Sequence, residues 1–192
     1  MIHDRIPNRK AFISYEASDR PFVDGFVRRW TELERVFIPK MVGVGGYEQD
    51  IINSTNTDYV MRRIRTQYIG DSTVTILLIG SCTHSRRYVD WELKATLRQG
   101  ETYTPNGLIG ILLPEYNFGP QNLPCLPDRF AANLSSTGDS YARYYYPPAS
   151  ASELRAWIED AFTARTMRPK LIRNSTDRML YNAKCKACGV TH

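Results

Sequence analysis

The chain has no apolar stretch close to the ~20 residues that a membrane-spanning helix requires. Its longest apolar runs, Val74 to Gly80 and Leu108 to Leu113, fall far short of that length. Cysteine is scarce: Cys82, Cys125, Cys185 and Cys188 are too few and too unevenly placed for a secreted disulfide framework. Four thiols of this kind fit a reducing cytosol. The opening Met-Ile-His-Asp-Arg-Ile-Pro-Asn-Arg-Lys carries charges and a proline where a signal peptide would be apolar, so the expected location is cytoplasmic. A concentrated stripe of one charge is also missing. The 25 Lys and Arg residues against 20 Asp and Glu give a net charge of +5, and short clusters such as Arg62, Arg63 and Arg65 read as the wet face of a helix. Nucleic-acid binding normally concentrates its basic charge, so neither nucleic acid nor a membrane is expected as a partner. There is no internal repeat.

What is present is the composition of an ordinary globular protein. The 192 residues are 42% hydrophobic and 23% charged, enough for one domain and about forty residues of insertion or tail. Ala11 to Tyr15 reads as a strand, and Pro21 suits the first turn of the helix that follows. Phe22, Phe26, Trp30, Leu33 and Phe37 recur at spacings of three and four, which predicts an amphipathic helix ending near Val36. Phe37 to Val44 is a second strand, and Pro39 suggests an edge position. A polar loop to Asn56 precedes a helix with Val60, Ile64 and Tyr68 on its buried face. Thr73 to Ile79 has the β-branched and leucine content of a strand buried on both faces. A helix with Val89, Leu93 and Leu97 follows, then a strand over Leu108 to Leu113.

Pro114 to Ser140 has little periodicity and reads as a long irregular loop, uncommon unless functional. Tyr141 to Tyr146 is a fifth strand, its tyrosines read as packing groups. Ser150 with Glu153 forms a capping box before a helix that buries Leu154, Trp157, Ile158, Ala161 and Phe162. This order predicts a single doubly wound α/β domain over residues 10–166, with about five mostly parallel strands and helices on both faces. Residues 167–192 read as a basic C-terminal tail.

In an open doubly wound sheet, ligands bind beyond the carboxyl ends of the strands, where strand order reverses. That rule selects Ser14, Tyr15 and Asp19 after the first strand, Asn53 in the loop after the second, and Ser81, Ser85 and the helix bearing Tyr88 and Glu92 after the third. A receiver domain is disfavoured, because Gly80-Ser81-Cys82 offers no phosphate-accepting aspartate at the end of the third strand. From the pattern alone Glu92 also reads as a solvated helix glutamate.

Phe12-Ile13-Ser14-Tyr15 with Ser18-Asp19 resembles the opening motif of TIR (Toll/interleukin-1 receptor) domains. Tyr88-Val89-Asp90-Trp91-Glu92-Leu93, after a turn containing Ser85, is similar to their aromatic-x-x-x-Glu helix. Where enzymatic TIR domains usually carry Trp four residues before the glutamate, this chain has Tyr88, with Trp91 directly before Glu92. More narrowly, the chain resembles the TIR-like subunit of the bacterial Thoeris anti-phage system, including the segment Arg173-Asn174-Ser175 and its basic continuation. The resemblance implies a flavodoxin-like TIR fold and an enzyme that cleaves NAD, its substrate rather than a cofactor, at the nicotinamide-ribose bond. It implies Glu92 as the catalytic carboxylate, with Ser14, Tyr15, Asp19, Asn53, Ser81, Ser85 and Tyr88 around the substrate. The product would be a cyclic ADP-ribose isomer, a diffusible nucleotide that activates a downstream effector. A phage-derived trigger, expected to be a protein, would switch the enzyme on, and self-association is compatible with the family.

Two other readings stay open: a non-catalytic TIR-type adaptor, and a nucleoside or nucleotide glycosyl-transferring enzyme. Cys185-x-x-Cys188 with His192 has zinc-like spacing, yet it supplies three ligands at a chain end. No metal is therefore expected, and the tail reads as flexible with exposed thiols. Gly43-x-Gly45-Gly46 resembles a phosphate loop, but no helix is expected to begin at its end. His84 reads as a turn residue.

Overall fold

The protein is described by a computed structural model over residues 8–41, 56–101, 103–114, 116, 123–136 and 138–192. Its strands are β1 (Arg9–Ser14), β2 (Phe37–Met41), β3 (Val74–Ile79), β4 (Gly107–Leu112) and β5 (Ala142–Tyr145). They form one sheet in the order β2-β1-β3-β4-β5, and every pairing is parallel. Pro39 stands opposite Ala11 on the edge strand β2, where its missing N–H is tolerated. Residues 42–44, expected to extend β2, lie outside the described residues.

The helices are α1 (Arg20–Val27), α2 (Thr57–Arg63), α3 (Arg87–Thr96), α4 (Asp128–Ala131) and α5 (Ala151–Met167). A π-helical turn carries α1 on through Leu33, and another carries α2 on to Ile69. The expected end of the first helix near Val36 comes a turn early, because Arg35 adopts the left-handed region at φ 50°. The Arg155 guanidinium on α5 donates to the Glu34 and Arg35 carbonyls at 3.1 and 2.8 Å. Two carbonyls freed by the helix end thereby gain a donor.

Alternation of side chains along the strands divides the core into two layers. Ala11, Ile13, Val74, Ile76, Leu78, Ile109 and Ile111 pack with Val23 and Trp30 of the first helix and Leu154, Ile158 and Ala161 of α5. On the opposite face Phe12 meets Val60, Met61 and Ile64 of α2 and Trp91 and Ala95 of α3. Beside them Leu77, Ile79, Leu108 and Leu112 meet Val89, Leu93 and Phe130. A Cβ on Gly107 would lie 1.9 Å from the Ala161 carbonyl oxygen, so glycine is what lets α5 settle onto β4.

The Ser150 hydroxyl accepts from the Glu153 N–H at 3.2 Å, and Glu153 reaches back to the Ala149 N–H at 2.7 Å. Two of the tyrosines of the fifth strand region pack as expected: Tyr145 stacks on Trp157 at 4.0 Å between ring centroids, and Tyr141 is buried. Tyr144 and Tyr146 are instead exposed, because the first lies on the outward side of the edge strand and the second past its end.

The stretch read as an irregular loop contains α4, a helix too short to show periodicity, with Arg129 and Phe130 buried. The Arg129 guanidinium uses all five of its N–H groups. Two go to the Asp90 carboxylate at 2.8 and 3.3 Å, two to the Thr176 and Asp177 carbonyls at 3.0 Å, and one to Asn174 Oδ1 at 3.0 Å. Asp90 in turn accepts from the Met179 N–H at 2.8 Å.

These bonds correct the expectation of a flexible tail. Further along α3, Lys94 Nζ donates to the Thr176 carbonyl, Asn174 Nδ2 to the Lys94 carbonyl and Trp91 Nε1 to the Met179 carbonyl. Such long-range polar partners leave no periodic trace in sequence.

Breaking a buried ion pair from one side costs about 3–5 kcal/mol, because the remaining charge stays buried. Arg129→Ala is expected to lower unfolding stability by that amount in denaturant titrations and to admit proteases to the chain beyond Arg173. A variant within 1 kcal/mol of wild type by the same titration would remove this pair as the anchor of the tail.

Candidate functional site at the carboxyl edge of the sheet

Strand order runs in opposite directions from β1 and β3, so the crevice beyond their carboxyl ends is the switch point of the fold. Ser14 is the last residue of β1 and projects to the face that Phe12 shares with α2 and α3. Glu92 and Thr96, one helical turn apart on α3, form a polar stripe that meets this face. The Ser14 hydroxyl donates to Glu92 Oε2 at 2.6 Å, and the Thr75 and Thr96 hydroxyls pair at 2.9 Å. Glu92 is only 9% exposed, which overturns the reading of a solvated helix glutamate. Burial pushes its carboxyl up to about 8, while the Ser14 hydroxyl bond pulls the other way. Among the described residues no cation is paired with it.

A second polar group stands at the same edge. Glu16 is buried and forms an ion pair of 2.8 Å with Arg86, the residue that precedes α3. Glu16 also accepts from the Ser18 N–H at 3.0 Å and from the Ser18 hydroxyl. Asp19 accepts from the Thr83 hydroxyl at 3.4 Å, and Thr83 itself accepts from the Gly80 N–H at 2.9 Å. Burial, and then the Glu16 charge, push the Asp19 carboxyl up to about 6 against the Thr83 bond and the Arg86 charge. A Cβ on Gly80 would lie 2.1 Å from Asp19 Oδ2, so the bare glycine is what admits the carboxyl group. Asp19, Ser18, Phe22, Gly80, Ser81 and Leu113 line a cleft of about 190 Å³.

The other residues selected from the sequence separate. Tyr15 projects to the α1 side of the sheet, as alternation after Ser14 dictates, and its hydroxyl accepts from Arg20 at 3.1 Å. The structure does not bring it to Glu92. Ser85 is fully buried, and its hydroxyl donates to the Cys82 carbonyl at 2.8 Å, which makes it a turn-forming group. Tyr88, half-buried one turn before Glu92, packs edge-on against Trp91 at 5.2 Å between centroids. Asn53 lies outside the described residues. His84 accepts from the Lys186 N–H at 3.0 Å and so holds the tail as well as the turn.

Glu16 and Thr83 fall inside the segments that the switch-point rule selects, but the sequence singles out neither of them, nor Arg86. The one available hint was an acidic residue two positions after the strand, with a basic one just before the glutamate helix.

A larger cavity, about 730 Å³, opens at the opposite edge, where Ser72 and Asn106 precede β3 and β4. Arg62, Arg65, Arg98, Arg165 and Arg178 line it, and among the described residues no carboxylate does. The switch-point edge is therefore the candidate site: among the described residues, the two carboxyl groups with strongly raised protonation ranges, Asp19 and Glu92, sit there, whatever the relative volumes.

A family model described as Thoeris protein ThsB, TIR-like domain, matches residues 12–117, more than half of the chain, from within β1 to past β4. Comparison with curated proteins returns no match. Among the described residues no helix is long and apolar enough to cross a membrane.

Between the ordinary carboxylate value of 4.5 and about 8, folded Glu92 holds a proton that the unfolded chain has released. Stability therefore falls as pH rises through that window. Glu92→Gln removes the penalty, so its advantage over wild type in thermal and denaturant unfolding is expected to be small near pH 5. By pH 9 it grows to the order of a few kcal/mol. An advantage that does not change with pH would show that the carboxyl group titrates normally.

Proposed function

We propose, from the premise that the chain belongs to the Thoeris ThsB TIR-like family, that it cleaves NAD at the nicotinamide-ribose bond and forms a cyclic ADP-ribose isomer. Family membership supports a role in bacterial antiviral defence. The observation that carries the enzymatic reading is the buried Glu92 carboxyl, bonded to Ser14 at the switch point and without a cationic partner among the described residues.

The chemistry asks little beyond such a group. The C1′–N bond breaks heterolytically, and the electron pair leaves with nicotinamide, which departs neutral from a cationic pyridinium. No general acid is needed for that departure. What develops is positive charge on the ribose, as in glycoside cleavage, and a fixed carboxylate beside it lowers the barrier. An internal nucleophile of the ADP-ribosyl group then attacks C1′ and gives its proton to solvent, which closes the ring. Burial holds Glu92 protonated in the free protein at neutral pH, and a cationic substrate favours its ionised form. Ser14 fixes the carboxyl orientation, and Asp19 and Ser81, in the cleft at the same edge of the sheet, are available to a ribose hydroxyl and a phosphate oxygen. A phage-derived protein trigger holds the enzyme's timing, and the nucleotide product carries the message to an effector.

The test is nicotinamide release and product mass analysis, with purified protein alone and with lysate from infected cells. Glu92→Gln is expected to lower turnover at least about 100-fold while leaving the fold intact. In wild type, kcat/KM should rise with pH and inflect near 8, because the ionised carboxylate is the active form in the free enzyme. Wild-type product from Glu92→Gln would instead favour the adaptor reading.

A further inference from the structure

Three of the four cysteines and the last histidine converge on one point. The turn after β3 places Cys82 against the C-terminal hairpin, which carries Cys185, Cys188 and His192. Cys82 Sγ lies 2.8 Å from Cys185 Sγ and 3.5 Å from Cys188 Sγ, and Cys188 Sγ lies 3.2 Å from His192 Nε2. All four ligand atoms fall within 4.8 Å of one another. Tetrahedral zinc with sulfur ligands at 2.3 Å separates those ligands by about 3.8 Å. The three contacts are shorter than that, and the 4.8 Å that encloses the whole cluster is longer, so small side-chain shifts would seat an ion. Cys82, 103 residues before Cys185, is the fourth ligand that the tail by itself lacks.

The hairpin is also built like a metal-binding knuckle. Cys185-Lys-Ala-Cys188 is followed by Gly189 at φ 76°, a left-handed position that suits glycine. The Gly189 N–H donates to the Cys185 carbonyl, and the Cys185 N–H to the Val190 carbonyl, both at 2.8 Å. Cys185 is buried, whereas Cys188 and His192 are exposed, so an ion has an entry path.

We propose that Cys82, Cys185, Cys188 and His192 bind one structural zinc ion, which fastens the C-terminal hairpin to the turn between β3 and α3. Three thiols release their protons to solvent, and with a neutral imidazole the filled site carries one negative charge. Lys184 and Lys186, exposed on the same hairpin, partly offset that charge. Four protein ligands close the coordination sphere, so the ion has no open position for catalysis. Its role is to fix Ser81 and the turn that leads to the helix bearing Glu92. This assignment is independent of the proposed reaction.

The experiment measures zinc in the purified full-length protein by elemental analysis, together with thiol reactivity and the cobalt(II) spectrum. One zinc per chain is expected, with Cys125 as the readily reactive thiol until a chelator is added. Cobalt should give the intense visible bands of tetrahedral thiolate coordination. Cys82→Ser should lose the metal and lower the melting temperature, while Cys125→Ser and His192→Cys should retain both. If Cys82→Ser aggregates, the cobalt spectrum and thiol count of wild type decide the matter alone. Four equally reactive thiols with no metal uptake under reducing conditions would overturn the assignment. So would a Cys82–Cys185 disulfide mapped in freshly isolated protein, or a zinc content unchanged by Cys82→Ser.

Discussion

The Arg129 guanidinium is the constraint on which the C-terminal third of this molecule depends. A buried guanidinium is tolerable only when its donors are satisfied, and here the five bonds tie α4 to acceptors on two other pieces of chain. Asp90 lies on α3, Arg129 on α4, and the remaining acceptors on the tail at Asn174, Thr176 and Asp177. Satisfying one charge therefore fixes the path of the chain along α3. From there the Ala183 N–H reaches the Ser85 carbonyl and Asn182 accepts from the Arg87 N–H. These bonds bring Cys185 beside Cys82.

At the other side of the same helix the energetics run in reverse. Asp90 is buried with a full cationic partner, whereas Glu92, two residues on, is buried with a serine hydroxyl. Neighbouring carboxyl groups on one helix thus have opposite roles. The first is neutralised to hold structure. The second is left with a desolvation cost that a cationic ligand would relieve, and such an imbalance is typical of functional sites. Glu16 and Asp19 repeat the contrast at the end of β1: Glu16 is paired with Arg86, while Asp19 is held by a threonine hydroxyl and raised by burial.

The sheet was legible because each strand carries its own local record. Thr73 to Ile79 is β-branched and apolar throughout, and Pro39 marked the edge strand through its missing N–H. The switch point followed from topology, and with it Ser14 and Glu92, which the structure joins by one hydrogen bond. Alternation along β1 should have separated Tyr15 from Ser14, since adjacent strand residues face opposite ways. Arg129, Glu16 and Cys82 were not legible, because their partners lie 39, 70 and 103 residues away and no periodicity links them. The tail read as flexible for the same reason: it is polar, and its partners are backbone carbonyls and buried charges rather than an apolar stripe.

These observations bear on how a carboxylate with an unfavourable environment is kept in place. Ser14 holds one oxygen of Glu92, but a single hydroxyl cannot by itself prevent a buried carboxyl from rotating or α3 from shifting to let water in. The helix is held instead at several independent points. Arg86 ties its start to Glu16, Arg129 ties Asp90 to the tail, and Trp91 and Lys94 donate to tail carbonyls. Thr96 adds a bond to Thr75 on the sheet side. A group is preorganised when its position is set by bonds that do not involve its own charge, and on α3 these bonds flank Glu92 on both sides in sequence. The helix can therefore carry a desolvated carboxyl at the switch point without moving to hydrate it.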